Sequence, residues 1–232
     1  TNANVGVNNA ANNVLLGHAA GQDIAGGASN ILIGRDAGLN ISAGNDNIAI
    51  GHGAMDAADT SAARHSCIAI GSNALGGQTA SVSACVAIGL NALADQNANV
   101  KNTAIGAYAG SDITTGAANT LIGYFAGKSG TVTGGNAGWN NNTMVGHQAG
   151  MSATEGGQNT FIGAFSGDSA VTGDYNTCVG YDTGTNLTDG PGNVLIGSSA
   201  GVNMTTGDYN IAIGFQAADA MTVACNYNIA IG

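Results

Sequence analysis

Positive charge is almost missing from this chain. Arg35, Arg64, Lys101 and Lys128 are its only fixed cations against 14 acidic residues, a net charge of −10. A nucleic-acid binder needs lysine and arginine to neutralise phosphates, so no nucleic-acid partner is expected. Long apolar runs are missing too. No stretch of about 18 apolar residues exists, so no membrane insertion is expected. Charged residues make up 8% and aromatic residues 5%, a poverty that ordinarily marks disorder or low complexity. Cysteine is scarce: Cys67, Cys85, Cys178 and Cys225 are spaced neither as zinc ligands nor as a disulfide-dense module.

Glycine is what the chain has in excess, and its placement is periodic. A pentapeptide recurs throughout: Asn, a β-branched residue, a variable residue, Ile or Val, then Gly, as in Asn30-Ile31-Leu32-Ile33-Gly34. The closing glycines run from Gly17 to Gly232. Eight of the twelve intervals are 17 residues, two are 18, one is 20 and one is 23. A fixed short period means a solenoid, in which stacking alone buries the apolar residues. The fold expected is all-β: a parallel β-solenoid, or β-roll, of about 13 coils with a period of about 17 residues, filling 1–232 as a single repetitive domain.

Each coil can be numbered from its motif glycine. Position −1 is Leu, Ile or Val and position −3 is Val, Ile or Thr in all thirteen copies. Residues two apart share a strand face, so these columns are assigned to the coil interior. Position −2 then points outward, yet no polar residue occupies it in any copy; Leu32, Leu121, Met144, Phe161 and Leu195 are among its bulky members. A strand apolar on both faces is covered on both. The −2 column is therefore expected to face a second copy of the chain in a homo-oligomer. Position −4 is Asn in eleven coils, including Asn30, Asn47, Asn102, Asn119, Asn159, Asn193 and Asn210. Stacked carboxamides are expected to bond along the axis as a ladder. Ala dominates +3, and apolar residues at +7, such as Ile24 and Ile41, suggest a second, weaker strand.

Glycine at −7 marks a second turn in seven coils, and the four coils of unusual length lack it. Insertions are thus placed there. The longest, 128–141, carries the only tryptophan; the next, 56–66, carries Arg64 and His65. Insertions in solenoids cluster on one face, often the binding face. The candidate binding residues are Trp139, Asn140, Tyr124, Arg64 and His65. Cys67 and Cys85 replace the ladder Asn in adjacent coils, where stacking would set their Cα atoms roughly 4.8 Å apart. They are either two small buried thiols or a bridge.

The Asn-x-x-Ile-Gly-x-x-Ala repeat resembles the head domains of trimeric autotransporter adhesins. The fuller forms, Asn119-Thr120-Leu121-Ile122-Gly123-Tyr124-Phe125-Ala126-Gly127 and Asn159-Thr160-Phe161-Ile162-Gly163, are similar to repeats in bacteriophage tail fibres. The resemblance implies a homotrimer and a structural or adhesive role, as a tail-fibre shaft or receptor-binding segment at the virion surface. The alternatives are the head of a bacterial surface adhesin, or the subunit of an extracellular filament. Partners would be the chain itself, laterally and end to end within a longer fibre, and a cell-surface glycan or protein receptor.

No catalytic residue, cofactor or metal ion is assigned. His18, His52 and His147 share position +1 with Arg35, Ser72 and Leu90, which marks a solvated turn. The pairs Gly173-Asp174 and Gly207-Asp208 read as turns whose Asp satisfies the backbone. Glycosidase carboxylates are paired, roughly 5–10 Å apart, whereas the acids here vary from coil to coil. A Thr column at −3 (Thr103, Thr120, Thr143, Thr160, Thr177) would suit an ice-binding face if exposed, but −3 is assigned to the interior.

Overall fold

A computed structural model describes residues 12–56, 64–77, 81–97, 101–129, 139–169, 171–222 and 225–232. The chain is a parallel β-solenoid with no α-helix among these residues. It packs as two compact units, Thr1–Ala117 and Ala118–Gly232. Each motif forms one three-residue strand at −3 to −1. In the first unit these are β1 (Val14–Leu16), β2 (Ile31–Ile33), β3 (Ile48–Ile50), β5 (Ile68–Ile70), β7 (Val86–Ile88) and β8 (Thr103–Ile105). In the second they are β9 (Thr120–Ile122), β10 (Thr143–Val145), β11 (Thr160–Ile162), β12 (Thr177–Val179), β13 (Val194–Ile196), β14 (Ile211–Ile213) and β15 (Ile229–Ile231). Within each unit every strand pairs in register with the next, so Met144 lies opposite both Leu121 and Phe161. The +7 residues are not in a second strand; that side of the coil is a chain of turns. The exceptions are β4 (Arg64–His65) and β6 (Val82–Ser83), which pair with each other.

The two strand faces are the reverse of the expected ones. The −2 column is the coil interior: Leu32, Ala49, Leu121, Met144, Phe161, Cys178 and Leu195 are all fully buried within one chain. The −3 and −1 columns face outward, with Ile122 37% and Ile162 39% exposed. Space decides this. A 17-residue coil is narrow, and its cavity takes one side chain from the strand plus small partners. Ala at +3 is buried in coil after coil, and Ile41, Ile113 and Leu187 at +7 close the far side. Two columns of Ile could not fit inside.

The interior also sets the residue at +4, which takes the left-handed conformation. Gly167 there has φ +58, and a methyl group on it would stand 2.6 Å from the Phe161 ring. Gly127 meets Leu121 in the same way at 2.7 Å, and Gly201 meets Leu195 at 2.9 Å. Where −2 shrinks to Ala49, Ala69 or Ala87, position +4 becomes Met55, Leu75 or Leu93, each fully buried. The bulk changes sides while the volume is conserved. Ala104 with Gly110 and Ala212 with Ala218 depart from this pattern. The motif glycine has its own constraint: at Gly163, φ is +133 and a Cβ would overlap the Gly180 carbonyl oxygen of the next coil.

The buried Asn column forms the ladder. The backbone N–H and Nδ2 of Asn47 both donate to Asn30 Oδ1, at 3.0 and 2.9 Å. In the second unit the backbone N–H groups of Asn142, Asn159, Asn176, Asn193 and Asn210 each donate to the Oδ1 one coil before, at 2.8–2.9 Å. Nδ2 reaches across to a second-turn carbonyl: Asn30 to Gly44 at 2.8 Å, Asn193 to Gly207 at 2.7 Å, Asn102 to Gly116 at 2.7 Å. One carboxamide thus ties the strand to the opposite turn and to its neighbour. Losing it orphans buried groups at about 1–3 kcal/mol each.

Candidate functional site

Two surfaces could carry function: the outward sheet face and the turn edge beside it. On the sheet face each strand offers two side chains at the 4.8 Å strand spacing. In the second unit these run from Thr120 and Ile122 to Ile229 and Ile231, and none is charged. The Thr column, assigned above to the interior, lies on this face. A contiguous apolar surface of this kind marks an interaction site. The residues expected at an interface between copies (Leu32, Leu121, Met144, Phe161 and Leu195) are unavailable for it, being enclosed by their own coil.

The turn edge, at +1 and +2, differs between the units. In the opening coils of the first it is polar: Arg35 reaches His52 and lies 3.4 Å from Asp36, whose carboxylate is 3.8 Å from His18 and 3.7 Å from His52. The cationic partners are about half exposed or more, so such pairs contribute about 0–1 kcal/mol. In the second unit the edge is aromatic. Tyr124 stacks on His147 with ring centroids 5.5 Å apart, His147 meets Phe165 edge-on at 5.1 Å, and Phe165 meets Tyr181 at 5.9 Å. Tyr124 is 45% and Tyr181 57% exposed. Tyr124 was visible in the sequence as a candidate. The row was not, because Phe165 stands at +2 while Tyr124, His147 and Tyr181 stand at +1.

The other expected binding residues sit elsewhere. Trp139 is fully buried and does not protrude. It occupies −7, where its ring packs near Gly127 and its carbonyl accepts from Asn119 Nδ2 at 3.2 Å. Arg64, also at −7, is fully buried, and its carbonyl accepts from Asn47 Nδ2 at 2.8 Å. Position −7 points into the coil, and longer coils have room to fill. His65 and Asn140 are half-buried; His65 Nδ1 faces the Asn45 N–H at 3.3 Å, and the Asn140 carbonyl accepts from the Gln158 N–H at 2.8 Å. The rest of the two insertions, 57–63 and 130–138, lies outside the described residues. Trp139→Ala is therefore a stability variant, expected to cost about 3–5 kcal/mol. An unchanged urea midpoint would contradict this placement.

A cleft of about 290 Å³ in the first unit is lined by Asp56, Asn73, Asn91 and Asp95 over glycines. Burial, reinforced by Asp36, raises the Asp56 pKa. Among the described residues no three metal-binding side chains come together, and no helix is long and apolar enough to cross a membrane. No protein-family model, curated protein or solved structure matches the chain.

Proposed function

We propose that this chain is a structural and adhesive segment of a surface fibre, assembled as a homotrimer through its −3/−1 sheet face. One observation carries the reading: within each unit an uncharged face of Ile, Val and Thr, with Leu16 in the first strand, continues from strand to strand on the outside of the coil. Left in water it would drive aggregation. Identical chains supply an identical face, and closed cyclic assembly covers it without leaving an open end. The repeats' likeness to phage tail-fibre and adhesin-head sequences favours a trimer, with a virion surface ahead of a bacterial surface or an extracellular filament. Light scattering on the full chain tests this, with three chain masses expected. A stable monomer would overturn it. A monomer that also produced thermal hysteresis would assign the outward-facing, half-buried Thr column to ice.

Attachment is placed on the aromatic row, because Tyr and Trp dominate binding hot spots and the only Trp is buried. The occupant in this reading is a cell-surface glycan or protein receptor. Tyr124→Ala with Tyr181→Ala is expected to weaken binding to host cells about tenfold, ~1.4 kcal/mol, with particle mass unchanged. Undiminished cell binding would remove the row from the attachment site.

A further inference from the structure

The Asn ladder of the first unit is interrupted once, by two cysteines. Asn47 Oδ1 accepts from the Cys67 backbone N–H at 3.0 Å, and there the carboxamide column stops. It resumes at Asn102, whose Nδ2 donates to Gln96 Oε1 at 2.6 Å. Between them stand Cys67 and Cys85, both unbridged thiols and both buried. A thiol cannot serve as the two-donor, one-acceptor rung that Asn provides.

We propose that Cys67 and Cys85 are a built disulfide site, at which an oxidised rung replaces the missing carboxamides and covalently joins two successive coils. Register carries the proposal. Cys67 lies between β4 and β5, and Cys85 between β6 and β7. β4 pairs with β6, opposing Arg64 to Val82 and His65 to Ser83; β5 pairs with β7, opposing Ile68 to Val86. The two cysteines are thus held opposite each other by parallel pairing on both sides. Strand spacing sets their Cα atoms about 4.8 Å apart, inside the 4.4–6.8 Å range of disulfides. This is also where the only second-turn strand pair among the described residues forms. Position −4 has the same parity as −2, so both thiols point into the coil, and Cys85 lies within hydrogen-bond reach of the Cys67 thiol. The Cys67 thiol donates to the His65 carbonyl at 3.4 Å, and the Cys85 thiol to that of Ser83 at 3.7 Å.

The co-reactant is a low-molecular-weight disulfide such as glutathione disulfide. One cysteine, as thiolate, attacks a sulfur of that disulfide and expels a thiolate, leaving a mixed disulfide. The second cysteine gives its proton to solvent, attacks the protein-side sulfur of the mixed disulfide and expels the other thiolate. Two protein thiols are oxidised, and one small disulfide is reduced to two thiols. The Cys85 contact and burial both raise the Cys67 pKa, so reaction in the folded state is slow and the bridge forms as the coils fold.

The test folds the full chain in glutathione redox buffer or in reductant, quenches with acid, unfolds and alkylates. After oxidative folding, alkylatable cysteines should fall from four to two. The intact mass should drop by two hydrogens, and a digest should yield a Cys67–Cys85 linked peptide. The first unit should survive protease longer than in reduced protein, and lose that gain with reductant. Cys67→Asn with Cys85→Asn restores the ladder; it should fold in either buffer, with protease resistance indifferent to oxidant. Four free thiols after oxidative folding, or a linkage through Cys178 or Cys225, would overturn the proposal.

Discussion

Gly167→Leu is expected to destabilise the second unit severely, and Phe161→Ala introduced with it is expected to restore most of the loss. Each single change is harmful for its own reason. A side chain at Gly167 must adopt φ +58 and begins 2.6 Å from the Phe161 ring. Left-handed backbone costs roughly 1–2 kcal/mol outside glycine, and overpacking adds about 1–3 kcal/mol. Phe161→Ala alone leaves the space of a fully buried aromatic ring empty, at about 3–5 kcal/mol. The two together recreate what the first unit already contains, Ala69 with Leu75 and Ala87 with Leu93, where both leucines hold φ +49 and are buried. A double-mutant cycle by denaturant unfolding should give a coupling of about 2 kcal/mol or more in favour of the pair. Strict additivity would mean that −2 and +4 do not share one cavity, and the inward assignment of the −2 column would fall with it.

That reciprocity was open to view in the sequence. The period, the strand at −3 to −1 and the bend at the motif glycine follow from β-branched residues and glycine at fixed spacing. Which face is inside does not follow from apolarity, because a strand covered on both sides has no polar face to orient it. The constancy of −1 and −3 suggests a core, yet an outward apolar face is just as constant. Two quieter signals point the right way. Large residues at −2 accompany glycine at +4, and Ala49, Ala69 and Ala87 accompany Met55, Leu75 and Leu93. Asn at −4 has the same parity as −2, and its carboxamide bonds both the next coil and the opposite turn, which only an inward side chain can do. Trp139 and Arg64 were misplaced for a related reason. A break in the period marks an insertion, but the side chain at its end stands at −7, which faces inward. The aromatic row needed the structure, since +1 and +2 converge only once the turn is closed.

If the proposed trimer is built on the −3/−1 face, Ile122→Asp combined with Ile162→Asp is expected to yield a folded monomer. Both residues are at −1 on the outward face, more than a third exposed in the single chain. In isolation an Asp there stays hydrated, so the strand content seen by circular dichroism and the thermal midpoint of the isolated subunit should hold. In an assembly the same Asp meets the apolar face of its neighbour without a partner. Desolvating a charge of this kind costs several kcal/mol in practice, and in the proposed trimer cyclic symmetry would bring the like charges of three chains towards one axis. Two such sites weaken association by about 10⁴-fold or more on the usual conversion. Phe161→Asp is the contrasting variant: it places its charge inside the coil, and loss of fold rather than loss of assembly is expected. Sedimentation of the three proteins separates the cases. A double Asp variant that remains trimeric would show that the −3/−1 face is not the interface. Unfolding of that variant together with Phe161→Asp would return the −1 column to the interior.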